Sequence, residues 1–157
     1  MHHPVKAVSA VTMFLAASLA CAAGDRGTEA EAQQMVTKAV ALVKSAGPEK
    51  AYKSFTEHPD GAFKDRDLYV FAYDLEGNCL AQGANAKMVG KNLIGIKDVE
   101  GNAFIKGMVD LVKAKKKGWY GPYKFNNVET KTIEPKKSYC EEGAAGTMIC
   151  VGIHLPT

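Results

Sequence analysis

The chain has little of what most catalytic chemistry is built on. Among its 157 residues there are four His, four Cys and one Trp. His2 and His3 stand at the very start, while His58 and His154 are far apart in sequence. There is no C-x-x-C redox pair, no C-x-x-C-H haem attachment, no H-E-x-x-H zinc motif and no G-x-S-x-G nucleophile turn. His58, Asp60 and Asp65 form the nearest approach to a metal-ligand set, and "HPDG" around them reads as turn chemistry. These absences argue against an enzyme and against a resident cofactor or metal.

A strong charge of one sign is lacking too. Lys and Arg number 20 against 17 Asp and Glu, a net +3 that becomes +2 once Lys6 is removed. Such a balance does not point to nucleic acid or a membrane surface as partner. The cluster Lys113, Lys115, Lys116 and Lys117 is explained by the negative end of a helix dipole.

Only one long apolar run occurs. Residues 1–24 read "MHHPVKAVSAVTMFLAASLACAAG", a basic start, an apolar run from Ala7 to about Ala20, then small residues. That is the three-part pattern of a secretory signal, and the run is shorter than the roughly 20 residues needed to span a bilayer. Ala20 and Ala22 offer an A-x-A cleavage site, giving a signal peptide at 1–22 and one domain at 23–157. Lipid attachment at Cys21 is the alternative, with Ser18 where a lipobox prefers Leu. The expected location is periplasmic or secreted.

The remaining chain is long enough for one real core. "TEAEAQQMVTKAVALVKSAG" has a capping-box pair in Thr28 and Glu31. Its apolar stripe through Ala32, Met35, Val36, Ala39, Val40 and Val43 predicts a long surface helix. Gly47 and Pro48 stop it and start a second helix carrying Tyr52 and Phe55. "LYVFAYDLEGNCLAQG" reads as a hairpin turning at Gly77-Asn78, with Tyr69, Phe71 and Tyr73 sharing one sheet face. Residues 84–101 form a Gly-rich loop of a length that is often functional. A helix follows, its inner side expected at Phe104, Ile105, Met108, Leu111 and Val112, ending at Gly118. Three strands close the chain: "WYGPYKF", "TKTIEPKKSYC" and "MICVGIHL". A hairpin centred on Ala145 sets Cys140 beside Cys150, a disulfide in an oxidising compartment or two buried thiols otherwise. Cys79 has no evident partner. The class is α+β, an antiparallel sheet with helices on it.

The order of these motifs resembles the exported single Cache domain family. "YVFAYDLEGNCLAQG", "VGKNLIGIKDVEGNAFIKGMV", "GWYGPYKF", "EPKKSY" and "ICVGIH" carry the likeness, which covers about residues 28–154. The resemblance implies a PAS-like antiparallel sheet behind a long N-terminal helix. A loop-helix segment over one face would hold a small organic ligand such as a short carboxylate. It further implies that Trp119 and Tyr123 line the pocket, that Lys136 beside Tyr139 contributes a cation, and that Gln82 stands where many members have His. Gln donates there only as a neutral amide.

The residues support that reading in their own terms. A small anion leaving water must regain its hydration from fixed donors. An ammonium at Lys136, phenol hydroxyls and loop N–H groups supply them, while Tyr69, Phe71, Tyr73 and Trp119 exclude water. A sensor of this kind without its own output would act through a partner: a membrane sensor kinase, a chemoreceptor or a transporter. Two alternatives stay open, a structural or interaction module with its core filled by its own side chains, and a secreted hydrolase with an unrecognised site. Each singled-out residue also has a plainer reading: the strand aromatics as core, Lys136 as a surface lysine, Asp98 as a helix cap or loop anchor, and Lys91 as loop-ordering or exposed.

Overall fold

The computed structural model describes residues 26–59 and 61–156. The signal-peptide segment at 1–22, its cleavage site, Cys21 and Asp60 lie outside the described residues. None of the described helices is long and apolar enough to cross a membrane.

Helix α1 (Glu29–Ala46) begins at a complete capping box: Thr28 Oγ1 accepts from the Glu31 N–H, and the Glu31 carboxylate accepts from the Thr28 N–H. The reciprocal bonds satisfy two of the N–H groups that a helix start leaves open. The predicted stripe Ala32, Met35, Val36, Ala39, Val40 and Val43 is buried in full. Helix α2 (Pro48–Glu57) follows with Phe55 buried and Tyr52 half-buried beside it.

The strands are β1 (Lys64–Asp65), β2 (Leu68–Asp74), β3 (Cys79–Gln82), β4 (Lys117–Asn126), β5 (Ile133–Glu142) and β6 (Thr147–His154). They make one antiparallel sheet in the order β1-β2-β6-β5-β4, with β3 also pairing β2. Strand β2 is central and buried on both sides, which explains its near-continuous apolar run. Its even positions Leu68, Val70 and Ala72 pack under α1 and α2. Its odd positions Tyr69, Phe71 and Tyr73 pack under helix α3 (Phe104–Lys115). The sheet therefore separates two apolar layers, and the aromatic row faces the second.

Three details differ from the sequence-based expectation. The buried face of α3 uses Val109, with Leu111 only half-buried against Gly118. The helix ends at Lys116, which takes the left-handed conformation (φ 67°), so Gly118 already lies in β4. The carbonyl of Lys116 there accepts from the Glu142 N–H, and its ammonium meets the Glu142 carboxylate. Finally, the segment 84–103 has structure of its own. It holds a short 3-10 turn (Ala86–Met88), and it runs beside β3 through Cys79 N–H to Lys91 O and Gly90 N–H to Cys79 O.

Candidate ligand-binding site

Between the aromatic row of β2, helix α3 and the 84–103 segment lies a small chamber. Its floor is Tyr69, Phe71, Tyr73 and Gln82 from the β2–β3 hairpin, with Tyr123, Phe125 and Lys136 from β4 and β5. Phe104, Ile105 and Met108 of α3 and Met88, Leu93 and Ile96 of the segment form its roof. The cavity volume is about 20 Å³, above the roughly 10–15 Å³ that one water needs. A wider groove past Tyr69, Gln82, Met88 and Phe125, bordered by Ala84, Asn85, Asn126 and Val128, adjoins it.

Alternation along β5 turns Glu134, Lys136, Ser138 and Cys140 toward this side and Lys137 and Tyr139 toward the other. Lys136 is 1% exposed. Its ammonium donates to the Tyr69 hydroxyl at 2.9 Å and lies 4.3 Å from the Tyr69 ring centroid and 5.1 Å from that of Phe125. Its stem crosses Gly152 of β6, where an added Cβ would stand 2.2 Å from Lys136 Cε. Among the described residues no carboxylate forms an ion pair with it. A buried ammonium held only by a phenol and two ring faces lacks the counter-charge that a buried cation ordinarily needs.

The chamber is rich in donors. Tyr69 accepts from Lys136, which leaves its own O–H free to donate. Tyr123 and Ser138 share one hydrogen bond of 2.7 Å, so one of the two hydroxyl hydrogens remains unused. Burial pushes the phenols of Tyr73 and Tyr123 up, keeping both protonated at neutral pH. Cys79 lies beside Tyr73; burial pushes its thiol up to about 11, which makes it a packed strand residue and a poor nucleophile.

Of the eight residues expected at the site, the structure gathers Tyr69, Phe71, Tyr73, Gln82, Tyr123 and Lys136 around the chamber. Trp119 and Tyr139 are corrected: they lie on the opposite face, packed together at 5.5 Å against the α1 layer, with the Lys137 ammonium over the indole. The reason is a bulge in β4 between Tyr120 and Tyr123, after which the register shifts. Without it Trp119 and Tyr123, four apart, would share a face. With it Tyr120 and Tyr123 do, and Gly121 is pressed against Lys137, with 2.9 Å from its Cβ position to Lys137 Cα. Tyr139, three residues from Lys136 in a regular strand, belongs to the other face by period alone. Sequence reasoning missed Phe125 and Ser138, although alternation from Tyr123 and Lys136 points to both. Met88, Leu93 and Ile96 carry no local signal.

Asp98, read from sequence as cap or loop anchor, is an anchor. Its carboxylate accepts from the N–H groups of Glu100, Asn102 and Lys124, and from the Asn102 amide. Despite some desolvation, these bonds hold its carboxyl down at about 2. The Lys124 bond ties the roof segment to β4. Cys140 and Cys150, partnered directly across β5 and β6, are joined by a disulfide. His58, by contrast, ends α2, and no metal-holding cluster occurs among the described residues.

The chain matches the family described as Single Cache domain 2 over residues 6–152. It belongs to that family. The match begins inside the segment that the sequence presents as a signal peptide. Solved structures with the same fold include a methyl-accepting chemotaxis protein from Vibrio parahaemolyticus RIMD 2210633, at 21% identity and TM-score 0.66, covering 80% of this chain and 86% of that one. A periplasmic sensor domain of a chemotaxis protein is 19% identical with TM-score 0.64, covering 82% and 90%. A Cache chemosensory domain described for its carboxylic acid recognition is 23% identical with TM-score 0.62, covering 78% and 84%. No curated protein matches the chain. At these identities the likeness is one of fold.

Proposed function

We propose that this single Cache domain is a periplasmic or secreted sensor that reversibly binds a short organic carboxylate in the chamber at Lys136. One observation carries the reading: the ammonium of Lys136, a residue 1% exposed and without an ion-paired carboxylate among the described residues, faces a cavity whose free polar groups are donors. A bound carboxylate supplies the absent counter-charge through charge-assisted bonds from Lys136 and Tyr69. The small volume restricts the ligand to a short one, and the unbranched Met88 and Met108 in the roof can yield to admit it. Binding would be relayed by a separate membrane partner, a sensor kinase, a chemoreceptor or a transporter, through a shift between open and closed positions of the roof segment.

The test is a thermal-shift and calorimetric titration with short monocarboxylates beside their primary amides. A ligand that binds only the folded state raises Tm by mass action. The acids should raise it and the amides, isosteric but uncharged, should not. Equal responses to acid and amide would remove Lys136 from the reading.

The same small volume favours a second reading, an interaction module whose core is closed by its own side chains. A chain that answers to no small carboxylate, and whose roof segment exchanges amide hydrogens identically with and without them, would belong to that class.

A further inference from the structure

The chamber holds about 20 Å³ and the groove beside it about 270 Å³. Four residues line both spaces, Tyr69, Gln82, Met88 and Phe125, and so make the partition between them. Three of the four are held in place. Tyr69 and Gln82 are strand residues 2% and 4% exposed. Gln82 pairs directly with Phe71 across β2 and β3, and its side chain is engaged by Tyr73 and the Ala84 N–H. Phe125 packs edge-on against Phe104 and Tyr123, with the Lys136 ammonium 5.1 Å from its ring centroid.

Met88 is the exception. It is half-buried, and its unbranched thioether chain repacks more readily than an aromatic or β-branched one. Its backbone is fixed nonetheless. The Met88 N–H donates to the Asn85 carbonyl, the Met88 carbonyl accepts from the Lys91 N–H, and the Gly90 N–H reaches the Cys79 carbonyl. The side chain can therefore swing while the turn that carries it stays put. A competing way in passes Ile96, which lines the chamber and is 38% exposed. That side chain is β-branched and stiff, so opening there means lifting a stretch that Asp98 ties to the Lys124 N–H.

We infer that the groove is the entrance to the chamber and that the Met88 side chain is its gate. A small anion comes in between Asn85 and Asn126, which border the groove, and passes Met88 against the fixed post of Phe125. It then meets the Tyr69 hydroxyl and the Lys136 ammonium behind it. The inference goes beyond the carboxylate reading: it concerns the route to Lys136, and its test uses no carboxylate.

The probe is cyanate, whose acid adds to a neutral amine; the Nζ–C bond forms as the amine proton passes to the reagent nitrogen. The intact protein is treated without denaturant, and modification of Lys136 is followed by peptide mass spectrometry. Lys137, on the other face and paired with Glu29, reports the reagent outside the chamber. Met88→Ala should speed modification of Lys136 about tenfold, and Met88→Trp should slow it by a like factor. Asn126→Trp, a change at an exposed residue of the groove, should slow it as well. Ile96→Trp should leave the rate as in the parent, and Lys137 should react alike in all. Slowing by Ile96→Trp equal to or greater than that by Met88→Trp would place the entrance under the 94–103 stretch and overturn the inference. So would rates at Lys136 that only follow the urea midpoints of the variants, since the lysine would then be reached by unfolding. A Lys136 that stays unmodified in both the parent and Met88→Ala would likewise make Met88 part of a closed wall. None of these outcomes touches the carboxylate reading, which its own titration decides.

Discussion

Gly152 of β6 and Lys136 of β5 are a fitted pair: a Cβ on the glycine would stand 2.2 Å from Lys136 Cε and 2.7 Å from Ser138 Oγ. The lysine stem lies across the one position in β6 that carries no side chain, and this is what directs the ammonium inward to Tyr69. Gly152→Ala should displace the stem and abolish the carboxylate response in a thermal-shift titration. Overpacking of this kind costs roughly 1–3 kcal/mol, readable as a lowered urea midpoint. A Gly152→Ala protein that binds as tightly as the parent would show that the ammonium need not occupy this place.

Removal of the ammonium itself has the opposite sign for stability. Lys136→Met keeps an unbranched chain of similar length and deletes a buried charge that has no acidic partner among the described residues. Replacing buried charge by well-packed apolar side chains is often neutral or stabilising, so the variant's Tm should equal or exceed that of the unliganded parent. Its response to short carboxylates should vanish at the same time. Loss of both stability and response would indicate a structural lysine instead of a ligand-binding one.

These two residues also mark how far the sequence is legible. The capping box at Thr28 and Glu31, the stripe of α1 and the hairpin at Gly77-Asn78 are local signals, and each appears in the structure where the residues indicate. The register that faces Cys140 with Cys150 is likewise readable, because the loop centre at Ala145 defines it. The burial of Lys136 is not. Lys137 beside it has the same chemistry, and only packing on Gly152 separates the inward lysine from the one that pairs with Glu29. A glycine inside an otherwise apolar strand is the one available hint, since it often marks close approach. Trp119 is misplaced by period-two reasoning because the β4 bulge inverts the face, and "GP" within a strand is where such an interruption should be sought.

The Cys140–Cys150 bond closes a short hairpin loop next to the chamber, with both residues fully buried. Closing a loop of this length restricts the unfolded chain by about 2–3 kcal/mol in the chain-entropy account. The double variant Cys140→Ala/Cys150→Ala should therefore unfold at a lower denaturant concentration by that amount and with a similar m-value. A carboxylate titration of the same variant should still show binding, because neither cysteine lines the cavity. An unchanged midpoint would mean that the bond adds nothing to the hairpin's own pairing.

His154 supplies a pH dependence whose sign can be worked out. It stands directly opposite Lys136 across β5 and β6, is 2% exposed, and has no hydrogen-bond partner on either ring nitrogen among the described residues. Glu134 lies 3.9 Å from its Nδ1 but is already engaged by Arg26, Asn127, Thr130 and Thr132; Asp67 faces only its backbone N–H, at 3.4 Å. Burial first and the charge of Lys136 second, opposed by a lesser pull from Glu134 and joined by a still smaller push from Arg26, hold the imidazole down at about 3, below its usual 6.5. The folded state thus binds fewer protons than the unfolded state between these values, and stability is lost as pH falls through that window. From pH 6.5 to 5 the loss from this one group is about 2 kcal/mol, in a range where the low-lying carboxyls of Glu31, Asp98 and Glu134, each at about 2, contribute little. Urea denaturation at these two pH values should show that difference for the parent, and His154→Leu should flatten it. The imidazole proton resonance of His154 should meanwhile report a neutral ring at pH 5. A ring that titrates near 6.5 in the folded protein would place water or an acidic partner against it and remove the slope.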